Sequence, residues 1–449
     1  MSVTAFLRRG VVEPLWAFYS GSPLLRAWRE LERSQREPVE VLRERQQRRL
    51  SELLTLVYER NAFHRRRLDD AGVAPANVRS VDDLARLPLL TKKDIRAAGE
   101  SLLTGGFAVD RLMRVKTGGS TGASLHLLLE EQISELRNAC HRRCRRWTGW
   151  EVGEPVGAVW GNPQQPADWR GRLRMQLLTP SIFLDTMSVT EQSVKDFAAE
   201  WRRVRPTLLF GHAHSIFLLA ELVRRLEIRD IRPRGVIATS MMLLPNERAV
   251  IEDVFGVRVF DFYGCEEVGM IAGECERHDG MHVNTDQLVV ELVREDGRPA
   301  APGEHGQVVV TDLLNRSFPL IRYNVEDMAE PMAGLCPCGR GLPLMRRVVG
   351  RLADFLVRRD GSRVAGVSLI ENSLTRIPGI DQLQVVQEAI DRLRLRVVPD
   401  PSFSDDARAE LVRYFSETFP GALVQVELTP AIAQEPNGKY RFSICRIPG

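Results

Sequence analysis

The 449-residue sequence has no run of roughly 18 apolar residues, so no membrane-spanning helix is expected. It has no charge excess either. Its 62 basic and 59 acidic residues leave a net charge of +3, which gives no whole-chain argument for nucleic acid or a membrane surface. The first twenty residues lack an apolar signal-peptide core, because Arg8, Arg9 and Glu13 interrupt them; a cytoplasmic protein is the expectation. Internal repeats and low-complexity tracts are missing. Cysteines are few: seven, an odd number, with Cys336 and Cys338 one residue apart. In a reducing compartment that spacing favours a metal over a disulfide. What remains is an ordinary globular composition, 44% hydrophobic and 27% charged. The chain is too long for one core, so two or three domains are expected.

Residues 38–60 read as a helix, because Leu50, Leu53, Leu54, Val57 and Tyr58 share one face and Pro38 stands near the start. From about 110 to 265, short apolar runs (Val156–Trp160, Thr207–Phe210, Gly235–Thr239, Val257–Tyr263) alternate with helical patterns, which predicts an α/β core. Leu288–Val293 and Gln307–Leu313 flank a turn-rich stretch and read as an antiparallel pair. A polar stretch, Gly350–Gly361, precedes a compact α+β unit. Its strands are predicted at Gln382–Gln387, Arg392–Val398 and Leu423–Leu428, with a helix near Ser404–Thr418. Arg137–Arg146 carries five arginines and reads as a solvated helix face, with a contact to phosphates as the alternative.

Lys116–Gly122 (KTGGSTG) concentrates glycines and hydroxyls. Glycine lets the backbone turn tightly and come close to a ligand, and successive N–H groups then form a concavity for an anion. No Lys follows Gly122, so this is not the G-x-x-x-x-G-K-S/T nucleotide loop. It resembles the phosphate loop of the adenylate-forming superfamily. The whole chain, including Leu31–Gln35 (LERSQ) and Leu87–Ile95 (LPLLTKKDI), is most similar to the phenylacetate–coenzyme A ligase family and its relatives from capsular polysaccharide clusters. That family often follows the loop with a charged residue and Pro, where this chain has Ala123-Ser124.

The resemblance implies an α/β fold: a large multi-subdomain N-terminal adenylation domain, 1–349, and a small mobile C-terminal α+β lid, 350–449, hinged near Asp354. It implies ATP held by Thr117, Gly118, Gly119, Ser120, Thr121 and Gly122, and by Ser240, Met241 and the strand segment Asp261, Phe262, Tyr263, Gly264 and Cys265. Tyr263 would lie against adenine. Glu267 would hold Mg2+, a hard cation that takes oxygen ligands shared with phosphates. Asp327, in a segment resembling R-Y-x-x-x-D, would bind ribose hydroxyls, and Arg351, in G-R-x-x-D, would approach the nucleotide. Lys439, in G-K-x-R, would bridge the α-phosphate and the acid carboxylate and stabilise developing charge.

Cys275-x-x-His278 and Cys336-x-Cys338, about 60 residues apart, supply four soft ligands for a closed, structural Zn2+ site; His282 rivals His278. A subset of the resembled family carries such a site. The acid pocket is expected around Trp160, Phe210–Ser215 and Thr239–Leu243. His212 and His214 could orient a carboxylate or serve as structural histidines, and Met241 and Met242 could form an adaptable apolar wall. The expected function is ATP-dependent activation of an aromatic or hydrophobic carboxylic acid as acyl-AMP, then transfer to a thiol such as coenzyme A. A carrier protein, amine or hydroxyl acceptor stays open, as does a non-catalytic nucleotide-binding relative. No nucleic-acid partner is expected, and a monomer or homodimer is.

Overall fold

The computed structural model describes the chain apart from residues 1–2, 117–124, 161–168, 170–172, 174–176, 179, 186–188, 352–354, 361–362, 366–368, 371–372, 375, 433–440, 442 and 448–449. Two compact units are found. One comprises Met1–Leu243, Val250–Val325 and Ala329–Arg347; the other comprises Leu244–Ala249, Glu326–Met328 and Val348–Gly449. No helix among the described residues is long and apolar enough to cross a membrane.

The chain opens with helices Val3–Leu7 (α1), Glu13–Ser20 (α2), Leu24–Ser34 (α3), Val39–Arg60 (α4), Ala62–Asp70 (α5) and Lys92–Ala98 (α6). Pro38 is the N-cap of α4, and Leu50, Leu53, Leu54 and Val57 on its apolar stripe are fully buried. Each such side chain contributes about 1.5–3 kcal/mol by leaving water. Asn61 ends α4 and caps α5, its side chain accepting from the His64 N–H at 3.0 Å. A hairpin follows, Met113–Lys116 (β1) against His126–Leu129 (β2), with Lys116 opposite His126. The expected phosphate loop joins these two strands, and Thr117–Gly122 lies outside the described residues.

Helix Glu131–Arg146 (α7) then leads into an eleven-stranded sheet. Its parallel part contains Val156–Trp160 (β3), Ser181–Asp185 (β4), Leu208–His212 (β5), Gly235–Thr239 (β6) and Val259–Cys265 (β7), in the spatial order β7-β6-β5-β3-β4. Register puts Val156, Leu208, Ile237, Phe260 and Phe262 on the face that packs with α7. Val159, Leu209, Val236, Ala238 and Val259 form the other face, covered by helices Glu191–Val204 (α8), Ala213–Arg225 (α9) and Pro245–Phe255 (α10). Burial on both faces explains why these strands read as unbroken apolar runs. The antiparallel part adds Gly269–Glu274 (β8), Met281–Val283 (β9), Leu288–Val293 (β10), Gly306–Asp312 (β11), Tyr323–Met332 (β12) and Leu344–Arg351 (β13). The expected β10–β11 pairing is present, with Leu288 opposite Asp312.

The second unit holds the small pair Phe355–Val357 (β14) and Arg363–Ala365 (β15), and a four-stranded sheet. In that sheet Ile380–Ala389 (β16) and Arg392–Pro399 (β17) form an antiparallel pair, flanked in parallel by Ser443–Cys445 (β19) and Leu423–Leu428 (β18). Leu411 and Phe415 of helix Asp405–Thr418 (α11) pack on Leu383, Val385, Leu393 and Leu395.

Candidate active site and metal centre

In open α/β sheets ligands bind beyond the carboxyl ends of the strands, where the strand order reverses. Here β3 leads to β4 on one side, while β5 leads to β6 on the other, so the reversal lies between β3 and β5. Trp160 and His212 end these two strands. The rings of Trp160 and Phe210 are parallel within 6°, with centroids 5.5 Å apart, and Trp160 lies 4.0 Å from the His212 ring. His212 and His214 are both buried. On the next strand, β6, Thr239 is followed by Ser240, which is exposed and held at φ +65°. A left-handed non-glycine conformation costs energy and concentrates at functional sites. Met241, half-buried, packs against the core on the α8 side.

Strand β7 carries Asp261 to Cys265, with a bulge between Tyr263 and Gly264 in its pairing with β8. A Cβ at Gly264 would meet the Gly269 carbonyl oxygen at 2.5 Å, so only glycine fits. Tyr263 and Cys265 are half-buried. The β7–β8 turn holds Glu266, exposed, and Glu267, buried. The Tyr323 hydroxyl donates to Glu267 Oε1 at 3.1 Å, and Arg137 Nη2 donates to the Glu267 carbonyl oxygen at 2.8 Å. Arg137 is itself fixed by Asp312 at 2.6 Å, and Gly269, at φ +82°, leaves room for its side chain. Tyr323 was not assigned a role from sequence, and Arg137 was read only as part of the arginine-rich stretch. The signal for Tyr323 was available: a tyrosine among Ile321, Val325 and other buried neighbours needs a partner for its hydroxyl.

Asp327 is buried on β12, and Arg351 is the last residue of β13. Asp354 and Lys439 lie outside the described residues.

The arginine-rich stretch departs from the solvated face expected of it. It is α7, and Arg137, Arg142, Arg143 and Arg146 reach carboxylates of Asp312, Glu13, Asp286 and Glu32. Arg143 is fully buried and also donates to Asn284 Oδ1 at 2.6 Å.

The cysteine–histidine cluster is brought together with one change of ligand. Donor atoms of Cys275, His282, Cys336 and Cys338 lie within 4.8 Å of one another and could hold a metal ion. Cys275 and Cys336 sulfurs are 3.7 Å apart, and Cys338 Sγ is 3.4 Å from His282 Nε2. A tetrahedron with Zn–S near 2.3 Å separates its sulfurs by about 3.8 Å, so the donor set fits zinc. His282 Nδ1 is 3.3 Å from the Leu342 carbonyl, the outer contact that leaves Nε2 free to ligate. His278 is not in the cluster. Its residue turns at φ +54°, its Nδ1 meets Glu274 Oε2 at 3.1 Å, and its ring packs on Phe260. His282 sits on β9, which faces it back toward the Cys336–Cys338 turn.

No family model matches the chain. The phenylacetate–coenzyme A ligase of Thermus thermophilus is 27% identical over 383 residues, 82% of this chain and 84% of that protein. That of Escherichia coli is 28% identical over 334 residues, 72% and 74% of the two chains. Protein CapK of Staphylococcus aureus is 21% identical over 416 residues, 90% and 89%. The chain is a distant relative of the phenylacetate–coenzyme A ligase family. A solved 2-hydroxyisobutyryl-CoA ligase, in the postadenylation state with R3-HIB-AMP, matches with a TM-score of 0.75 at 22% identity over 92% of this chain and 91% of that one. ATP-bound MatB from Rhodopseudomonas palustris matches at 0.52 and 15%, over 76% and 68%. The fold is that of adenylate-forming ligases, and the chain is similar in sequence to phenylacetate–coenzyme A ligases. At family level the reaction is ATP-dependent ligation through an acyl-AMP.

Proposed function

We infer that the chain activates a carboxylic acid with an apolar or aromatic body as its acyl-AMP and passes the acyl group to coenzyme A. The observation that carries this is Glu267, buried at the carboxyl end of β7 and held both by the Tyr323 hydroxyl and, at its carbonyl, by Arg137. A carboxylate so fixed, with Oε2 unbonded among the described residues, suits one oxygen of a magnesium shell. Mg2+ bound there would offset phosphate charge.

In the first step a carboxylate oxygen of the acid attacks the α-phosphorus of ATP, the bond to the β-phosphate bridging oxygen breaks, and pyrophosphate leaves. Lys439 would meet the charge that develops on both reactants. In the second, a thiolate sulfur attacks the acyl carbonyl and AMP departs with the electron pair of the broken C–O bond. Thr117–Gly122 would grip the pyrophosphate side, Tyr263 would cover adenine, and Asp327 and Arg351 would serve the ribose and phosphates. A lid hinged at Asp354 would carry Lys439 away between steps. The solved 2-hydroxyisobutyryl-CoA ligase in complex with 2-HIB-AMP and CoA supports coenzyme A as acceptor. Cys275, His282, Cys336 and Cys338 would hold a structural zinc, with no ligand position left open.

The test is incubation with ATP, Mg2+ and pooled carboxylic acids, with and without coenzyme A, followed by mass detection of acyl-AMP and acyl-CoA. Acyl-CoA is the expected product. Acyl-AMP that accumulates without reacting with coenzyme A would move the acceptor to a carrier protein, amine or hydroxyl. No acid-dependent pyrophosphate release from a broad panel would remove the adenylation reading itself.

A further inference from the structure

Of the five arginines on α7, Arg145 alone meets no carboxylate among the described residues. Among the described residues its guanidinium forms neither an ion pair nor a hydrogen bond, and it lies over the Phe210 ring, 4.9 Å from the centroid. Arg137, His141 and Arg145 recur every four residues and therefore form one stripe along the helix. The stripe begins at the Glu267 turn, through Arg137, and ends at Phe210 on β5, beside Trp160, where the strand order reverses. Two helical turns separate its ends, about 12 Å.

Arg145, His141, Trp160 and Phe210 are each half-buried, so none is sealed into the core. Burial, and then Arg142, pull the Arg145 pKa down to about 10, which leaves it a cation at neutral pH. The His141 ring makes no hydrogen bond among the described residues. Burial, followed by the charges of Arg145 and Arg137, holds its pKa down to about 4, so it offers a neutral ring N–H. A partly desolvated cation without a counter-charge is unfavourable unless something supplies the anion. The rings of Trp160 and Phe210 already stack on each other, so it is their exposed edges that offer contact to carbon, and the guanidinium fork can donate to a carboxylate in bidentate fashion. The reacting carboxyl belongs at the Glu267 end, about two turns away. The anion at Arg145 is therefore a different group.

We propose that the acid this chain activates is a dicarboxylic acid whose remote carboxylate is bound by Arg145, with His141, while its body lies against Trp160 and Phe210. This rests on the adenylation reading above and narrows its substrate class. The experiment is acid-dependent ATP–pyrophosphate exchange with matched pairs, phenylacetate against 4-carboxyphenylacetate and hexanoate against adipate. The wild type should favour the diacid in kcat/KM by roughly 10- to 100-fold, the worth of a hydrogen-bonded charge pair. Arg145→Gln should bring the ratio near one, Arg145→Lys should keep part of it, and Arg145→Glu should turn it in favour of the monoacid. Each ratio is taken within one preparation, so a loss of folded protein cancels. Equal use of both members by the wild type, or the same ratio in Arg145→Gln, would overturn the proposal and leave adenylation standing. Silence toward every acid of both classes would overturn both.

Discussion

Tyr323→Phe removes one oxygen atom from a fully buried side chain and tests the role given to Glu267. The hydroxyl sits 3.1 Å from Glu267 Oε1, while the backbone of the same residue is held separately by Arg137 at 2.8 Å. The turn should therefore keep its place and the carboxylate should lose its orientation. A hydrogen bond to a charged acceptor is worth about 1.5–3 kcal/mol, so adenylation should slow by roughly 10- to 150-fold if the bond matters fully in the transition state. The assay is acid-dependent pyrophosphate exchange as a function of Mg2+ concentration. The variant should need more Mg2+ for half-maximal rate and should recover part of the loss at saturation, because a less ordered carboxylate still binds the ion. Glu267→Gln should lose the activity without that recovery. A Tyr323→Phe enzyme within about twofold of wild type, with an unchanged Mg2+ dependence, would refute Glu267 as the magnesium ligand.

The metal centre separates two histidines: His282→Ala should drop the zinc content of purified protein far below one equivalent, while His278→Ala should retain it; the reverse result would restore His278 as ligand. Lys439→Ala should reduce acyl-adenylate formation about 100-fold with the circular dichroism spectrum unchanged; a loss within about threefold would remove it from catalysis. His64 donates from Nε2 to the Pro319 carbonyl and accepts at Nδ1 from Arg67, and burial, then the Arg67 charge, lowers its pKa to about 3. Its folded pKa lies below its unfolded one, so its stabilisation is complete above about pH 6.5 and is lost as pH falls toward 3. At pH 5 the deficit should be about 2 kcal/mol in urea unfolding. It should be absent from the difference between pH 7 and pH 5 in His64→Asn.

Much of the fold was legible because the parallel strands are buried on both faces. Val156–Trp160 and Gly235–Thr239 begin and end where their apolar runs do. Ser181–Asp185 was not foreseen: it is the edge strand, alternately buried, with only the three consecutive apolar residues Ile182–Leu184 to mark it. The cysteine spacing pointed to the donor cluster that could hold a metal ion, but the choice of histidine depended on backbone direction. His278 and Gly280 both turn at positive φ, and the chain enters β9 only afterwards. The arginines of α7 misled for another reason. Their charge is visible locally, whereas their partners stand 129, 143 and 175 residues away in sequence for Arg142, Arg143 and Arg137. Nothing within a helical window reports a carboxylate at that distance.

Those same separations bear on how the chain is made. When α7 leaves the ribosome, Glu13 has already been synthesised, but Asp286 and Asp312 have not. At about 5–20 residues per second, the 175 residues between Arg137 and Asp312 take roughly 9 to 35 seconds to translate. Throughout that interval the helix carries guanidinium groups destined for the interior, beside a surface of RNA phosphates. The sheet face that α7 covers cannot close until β11 arrives, so the first unit should reach its native form late, after nearly all of its own sequence has emerged. Truncated nascent chains ending before Asp312 should accordingly remain protease-sensitive across α7 and β3, and those extended past Arg347 should not.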